Sequence, residues 1–170
     1  MRYRVLGQLE VVGPHGTVQV AAPRQRIVLA MLLLEANHVV PVDRLVDAVW
    51  DEGPPFTARG QIQICVSALR RSLSDAGLPD AIVTQPPGYL FRSAEGELDL
   101  HQFDRLVARG RTKVTEGRLT EAAELYGDAL ALWRGQPFAG IQSRVLQAAA
   151  VNLIERHLAQ IGRASCRERV

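Results

Sequence analysis

The chain has 170 residues, 47% of them hydrophobic and 22% charged, with a formal net charge of +2. That length holds one large domain or two small ones, and the composition is that of a folded chain. No apolar run approaches the roughly 20 residues that cross a bilayer, no signal-peptide pattern opens the chain, and Cys65 and Cys166 are too few for a disulfide framework or a zinc site, which fits a reducing cytoplasm.

Taken in order, Tyr3 to Val12 alternates like a strand around Val5, Leu9 and Val11, and Gly13-Pro14-His15-Gly16 signals a turn into a second strand, Thr17–Val20. Together they predict a small antiparallel sheet. Pro23 opens a helix reaching about Ala36, with Asn37 as its stop and the run Ile27–Leu34 buried. A short strand at Val39-Val40 follows. Asp43 is expected to cap a two-turn helix, Arg44 to Trp50. After Pro54-Pro55, Thr57 is the expected N-cap of a long helix ending near Asp75. Ile82–Gln85, the turn Pro86-Pro87-Gly88 and Tyr89–Arg92 read as a hairpin behind it.

Residues three and four apart share a helix face. In the long helix Ile62, Val66, Leu69 and Leu73 make an apolar stripe with Cys65 at its edge. The opposite stripe is Thr57, Gln61, Ile64, Ala68 and Arg71, flanked by Gln63, Ser67 and Arg70. This outer face suits DNA. A glutamine can bond adenine in a bidentate way, and Ile64 and Ala68 suit thymine methyls. Gln61, Gln63, Ile64, Ser67 and Ala68 are therefore expected at base edges or in the groove. Arg59, Arg70, Arg71 and Arg92, with Arg24 and Arg26 as weaker candidates, are expected at phosphates, which fix register without reading sequence. The bland reading is a solvated face on an ordinary amphipathic helix. What tips the balance is the order of elements: sheet, helix, strand, helix, helix, hairpin, the plan of a winged helix. Charge contributes little, because residues 1–92 carry nine arginines against eight acidic residues.

This order, with Ala48-Val49-Trp50 before the long helix, Ser67-Ala68-Leu69-Arg70-Arg71 within it and Gly88-Tyr89 in the wing, resembles the OmpR/PhoB-type DNA-binding domain. Pro23-Arg24-Gln25-Arg26, the stretch from Trp50 to Pro55 and Pro86-Pro87-Gly88-Tyr89 are similar to the variant found in the Streptomyces antibiotic regulatory proteins. The expected fold class is thus an α+β winged helix over residues 1–93, with an N-terminal antiparallel sheet, three helices and a C-terminal wing hairpin.

An all-α, tetratricopeptide-like domain is expected over residues 98–162. Asp99 is its first N-cap, before Leu100, Phe103, Leu106 and Val107. Gly117 to Leu132 reads as half of a repeat unit, in which Gly117, Ala122 and Ala129 admit a close neighbour and Leu125, Tyr126, Leu130 and Leu132 fill between helices. The segment from Ala131 to Gly135 is similar to the bacterial transcriptional activation domain of the same family. A third helix, about Ser143 to Ile161, carries Val145, Leu146, Leu153, Leu158 and Ile161. Helical repeats need about three units for stability, so the chain is expected to be truncated, with residues 163–170 a non-native tail.

The resemblance implies a transcription activator that binds direct repeats in double-stranded DNA as a homodimer. It also implies recruitment of RNA polymerase holoenzyme, through the carboxy-terminal domain of its α subunit and through its sigma factor, at genes of antibiotic biosynthesis. The expected location is the cytoplasm, on the nucleoid, with no membrane and no cofactor. The alternative is a winged-helix interaction module without specific DNA binding. An enzyme is not expected. His15, His38, His101 and His157 have no metal-ligand spacing, and no phosphate-cradling loop, HExxH or GxSxG motif occurs. Cys65 reads as a small buried hydrophobe, Trp50 and Trp133 as core, and Tyr89 as the residue packing the wing onto the helices.

Overall fold

The computed structural model describes residues 2–167. Two three-stranded antiparallel sheets flank a helical core. The first sheet has the order β1 (Tyr3–Arg4), β2 (Glu10–Gly13), β3 (Gly16–Thr17). The second has the order β4 (Val39–Pro41), β6 (Gly88–Phe91), β5 (Ile82–Gln85), so the wing hairpin pairs with the strand that follows the first helix. Its register is Val40 opposite Tyr89 and Val83 opposite Leu90.

The three helices of the winged helix are α1 (Pro23–Leu34), α2 (Val42–Val49) and α3 (Ala58–Asp75). Ile27 through Leu33 are all buried, because α1 is covered by α2, α3 and β6. A helix that is apolar all round has to be central. Helix α1 ends at Leu34 with Glu35 as its C-cap, short of the expected end at about Ala36, and Asn37 lies in the turn that follows. That residue adopts φ +68°, and its amide exchanges two 3.0 Å hydrogen bonds with the Ser93 backbone, joining the end of α1 to the exit of the wing.

Three local expectations are corrected. The segment Tyr3–Val12 is not one strand, because the chain reverses between β1 and β2. The amides of Val5 and Leu6 are claimed by the Asp99 carboxylate at 2.9–3.0 Å. The carbonyls of Val5, Leu6 and Gly7 accept from Phe138, Arg134 and Ala139. A backbone bonded on both sides to the helical half has nothing left for a sheet ladder. Gly7, at φ +145°, makes the reversal, and a side chain there would crowd Arg134. The second strand is likewise only Gly16–Thr17, not Thr17–Val20. Finally, neither Asp43 nor Asp99 is an N-cap. Pro41 and Leu98 hold those positions, Asp43 forms an ion pair with Arg59, and Asp99 faces the β1–β2 segment.

The second half comprises α4 (Asp99–Thr115), α5 (Leu119–Ala131) and α6 (Arg144–Arg167), so the third helix runs past the expected end at Ile161. The tail expected at 163–170 falls partly on residues 168–170, which lie outside the described residues. Helices α4 and α5 form a close antiparallel pair with Ala122 and Ala129 buried. The residue that lets them approach is Gly110, whose missing side chain would meet the Tyr126 ring at 2.8 Å. Gly117 has another task, ending α4 at φ +74°. Leu130 and Leu158 are exposed, not filling. On α6 Leu146, Ala150 and Leu153 are buried, and the helix packs against α1 and α2 of the winged helix. The Ser143 hydroxyl donates to the Ala48 carbonyl at 2.7 Å, and Arg144 pairs with Asp51 and Glu52. One continuous apolar core therefore runs through both halves.

Candidate nucleic-acid interface

Pro54-Pro55 cannot extend a helix backwards, so α3 begins afresh, the Ala58 amide donating to the Pro55 carbonyl at 2.9 Å. Ile62, Cys65, Val66, Leu69 and Leu73 are buried, as the apolar stripe requires. This fixes the rotation of the helix and drives the other side outward. Thr57, Gly60, Gln61, Gln63, Ile64, Ser67, Ala68 and Arg71 line one shallow, open groove. Ile64 is 68% exposed. Gly60 leaves the near end of the groove unobstructed, with nothing within 4 Å of where a side chain would start. All five residues expected at base edges thus lie on this one surface.

The expected phosphate contacts divide into three groups. Arg71 and Arg92 are exposed and make no side-chain hydrogen bond or ion pair among the described residues. Arg59 and Arg70 are engaged within the chain. Arg59 pairs with Asp43 of α2. Arg70 crosses to the wing, donating from Nε to the Ile82 carbonyl at 3.2 Å and from a terminal nitrogen to Thr84 Oγ1 at 2.8 Å. Its guanidinium lies 5.7 Å from the centre of the Tyr89 ring. Tyr89 is buried, so the pair locks the wing to α3.

Arg24 and Arg26 part company. Arg24 reaches α3 and donates to Gln61 Oε1 at 2.6 Å, with its guanidinium 5.0 Å from the Trp50 ring. Arg26 turns away into a separate cleft between the first sheet and α1, with Glu10, Gln19 and Val20. Trp50 and Trp133 are half-buried at the edge of the core and not within it.

Thr57 is the N-cap residue of α3, yet at φ −88° and ψ 7° it makes no side-chain cap bond. The usual cap conformation is extended. Its hydroxyl instead accepts from Gln61 Nε2 at 2.9 Å. Burial pushes the Cys65 thiol above its ordinary pKa, against the pull of the nearby Arg24 charge, which suits an inert packing residue. Phe56, fully exposed ahead of α3, is a feature that the helical periodicity did not reach. The Arg24–Gln61 contact also left no mark, since it joins residues 37 apart on different helices.

Two family models cover most of the chain. "Transcriptional regulatory protein, C terminal" matches residues 17–91, and "Bacterial transcriptional activator domain" matches residues 98–167. The chain belongs to the Streptomyces antibiotic regulatory protein family of transcriptional regulators. Among family relatives, it is 37% identical to the transcriptional regulatory protein MoaR1 of Mycobacterium tuberculosis, over 84% of this chain and 47% of MoaR1. It is 33% identical to the regulatory protein AfsR of Streptomyces coelicolor, over 93% of this chain and 16% of AfsR. With the regulatory protein DnrI of Streptomyces peucetius it shares 31% identity, over 84% of this chain and 55% of DnrI. The solved structure of Mycobacterium tuberculosis EmbR in complex with a low affinity phosphopeptide superposes with a TM-score of 0.86 at 32% identity, covering 93% of this chain and 42% of EmbR. The chain thus spans about half the length of MoaR1 and less of EmbR. These relatives are named as regulators, and the winged helix with an attached helical activator domain is the family's architecture.

Proposed function

We propose that this chain activates transcription by laying α3 in the major groove of duplex DNA, with the β5–β6 wing on the neighbouring backbone. The observation that carries this reading is the gathering of Gln61, Gln63, Ile64, Ser67 and Ala68 on one open face that ends at Arg71. The exposed Ile64, beside Gln61 and Gln63 on this face, has no packing role, and it suits a groove lined with thymine methyls and adenine edges. Arg71 and Arg92 are assigned to phosphates. Arg59 and Arg70 join them through the N–H groups that their internal bonds leave free.

One helix reads only a short half-site, so two copies are proposed to bind a direct repeat about one helical turn apart. Residues 1–93 would carry DNA binding and residues 98–162 activation, together recruiting RNA polymerase holoenzyme through the carboxy-terminal domain of its α subunit and through its sigma factor. A modest protein contact suffices, because adjacent DNA sites hold both partners at high effective concentration. The family relationship makes antibiotic-biosynthesis promoters the proposed targets and the cytoplasmic nucleoid the proposed location. No described helix is long and apolar enough to cross a membrane.

The test is selection from randomised duplex DNA, followed by footprinting and in vitro transcription from the selected site. The expected result is a repeated motif with a rise in transcript. A single palindromic footprint, or tight binding without added transcript, contradicts the arrangement or the activating role respectively.

A further inference from the structure

Gln61 is the residue of the α3 groove whose amide is held at both ends by this chain. Its Oε1 accepts from Arg24 at 2.6 Å, and its Nε2 donates to Thr57 Oγ1 at 2.9 Å. A guanidinium carries only donors, so the atom facing Arg24 has to be the amide oxygen. Arg24 is itself fixed, lying 5.0 Å from the centre of the Trp50 ring, where the cation is attracted to the aromatic face. Each anchor uses half of what the amide offers. One lone pair on Oε1 and one hydrogen on Nε2 remain, on an amide that lines the open groove. An acceptor beside a donor, in that fixed order, is the complement of the amino group and N7 of adenine.

We infer that Arg24 is a positioning residue for base reading, which holds the Gln61 amide in the one orientation that reads adenine, and that it is not a phosphate contact. The inference rests on the reading of α3 as the base-contacting helix. Without Arg24 the amide can turn over, exchanging donor for acceptor, and preference at that base pair is lost while the rest of the interface is unchanged. Thr57 steadies the amide from the other side, while its hydroxyl, able to accept or donate, leaves the choice of orientation to Arg24. The arrangement joins three parts of the fold, the start of α1, the end of α2 and the first turns of α3, so packing of the helices against one another sets the chemistry presented to DNA.

The test uses the full chain and a randomised duplex library. Selected motifs are compared for wild type, Gln61→Ala, Arg24→Ala, Arg24→Lys and Thr57→Val, with affinities measured against salt. The wild-type motif should contain one position where adenine is preferred by roughly tenfold and where Gln61→Ala abolishes the preference. Arg24→Ala and Thr57→Val should weaken the preference at that same position, leaving the other positions and the salt dependence alone. Arg24→Lys, which keeps a donor for Oε1, should retain part of it. Thr57→Val, with Arg24 untouched, keeps the test independent of any effect of the arginine on folding.

If Arg24→Ala keeps the adenine preference but flattens the slope of log affinity against log salt by about 0.9, Arg24 is a phosphate contact and the inference is overturned. Retention of both overturns it as well, as does a Gln61-dependent base other than adenine. A motif that Gln61→Ala leaves untouched, or no enriched motif at all, sinks the α3 reading first and the inference with it.

Discussion

The Ser143 hydroxyl donates to the Ala48 carbonyl at 2.7 Å, tying the residue before α6 to the last turn of α2. Ser143 is buried and also accepts from the Leu146 amide at 3.5 Å. The helical half is thereby bonded to the winged helix one element before α3. Removing the hydroxyl leaves a buried carbonyl without its partner, which costs about 1–2 kcal/mol. Ser143→Ala should therefore lower stability by that amount in urea unfolding. Because the core is continuous, far-UV circular dichroism and tryptophan fluorescence should report a single shared transition. Two separated transitions would show that the halves unfold independently.

A second link between the halves has a pH signature. Asp99 is only 2% exposed, and its carboxylate accepts from the Val5 and Leu6 amides. Burial pushes its pKa up, against the pull of those amides, the Leu100 amide and Arg134. A carboxyl whose folded pKa is raised favours the fold most in its protonated form. Its contribution is full below the ordinary carboxylate range and declines as pH rises through the raised value. The stability difference between wild type and Asp99→Asn should shrink with rising pH across that window. A difference that grows with pH means that the amides outweigh burial.

The close approach of α4 and α5 is tested at Gly110. A methyl group there would meet the Tyr126 ring at 2.8 Å. Overpacking of this kind costs about 1–3 kcal/mol, whereas alanine gains about 1 kcal/mol in helix propensity. Gly110→Ala should be destabilising on balance, and Tyr126→Leu in the same chain should recover part of the loss. Simple additivity of the two substitutions would show that no clash exists.

What was legible in the sequence was whatever a single element determines. The burial of Ile62, Val66, Leu69 and Leu73 followed from helical spacing, and with it the outward turn of Gln61, Gln63 and Ile64. Asn37 in the turn after α1 and Tyr89 packing the wing were legible for similar reasons, although α1 itself stops earlier, at Leu34. What escaped depends on partners distant in the chain. Asp43 and Asp99 look like caps, yet an arginine in α3 and backbone amides near the N-terminus claim them. Residues 5–8 alternate like a strand, yet their carbonyls accept from the segment after α5 and the amides of Val5 and Leu6 donate to Asp99. The occupation of Arg70 by the wing and of Arg24 by Gln61 likewise required the fold.

For the arginines left without internal partners, salt dependence is the direct readout. Each phosphate neutralised adds about 0.9 to the slope of log affinity against log salt. Arg71→Ala should flatten the slope by that amount and weaken cognate and random duplexes equally. Arg26→Ala, in its separate cleft, should leave the slope alone. An unchanged slope for Arg71→Ala removes that residue from the DNA surface.

The claim that the outer face of α3 meets DNA is tested most directly by following backbone amide resonances while the chain is titrated with a selected duplex. The largest shifts should fall on residues 57–71 and on the wing at residues 84–92, with α4 and α5 nearly silent. Shifts concentrated on α4 to α6, with the Gln61 to Arg71 face unmoved at saturation, would contradict the account.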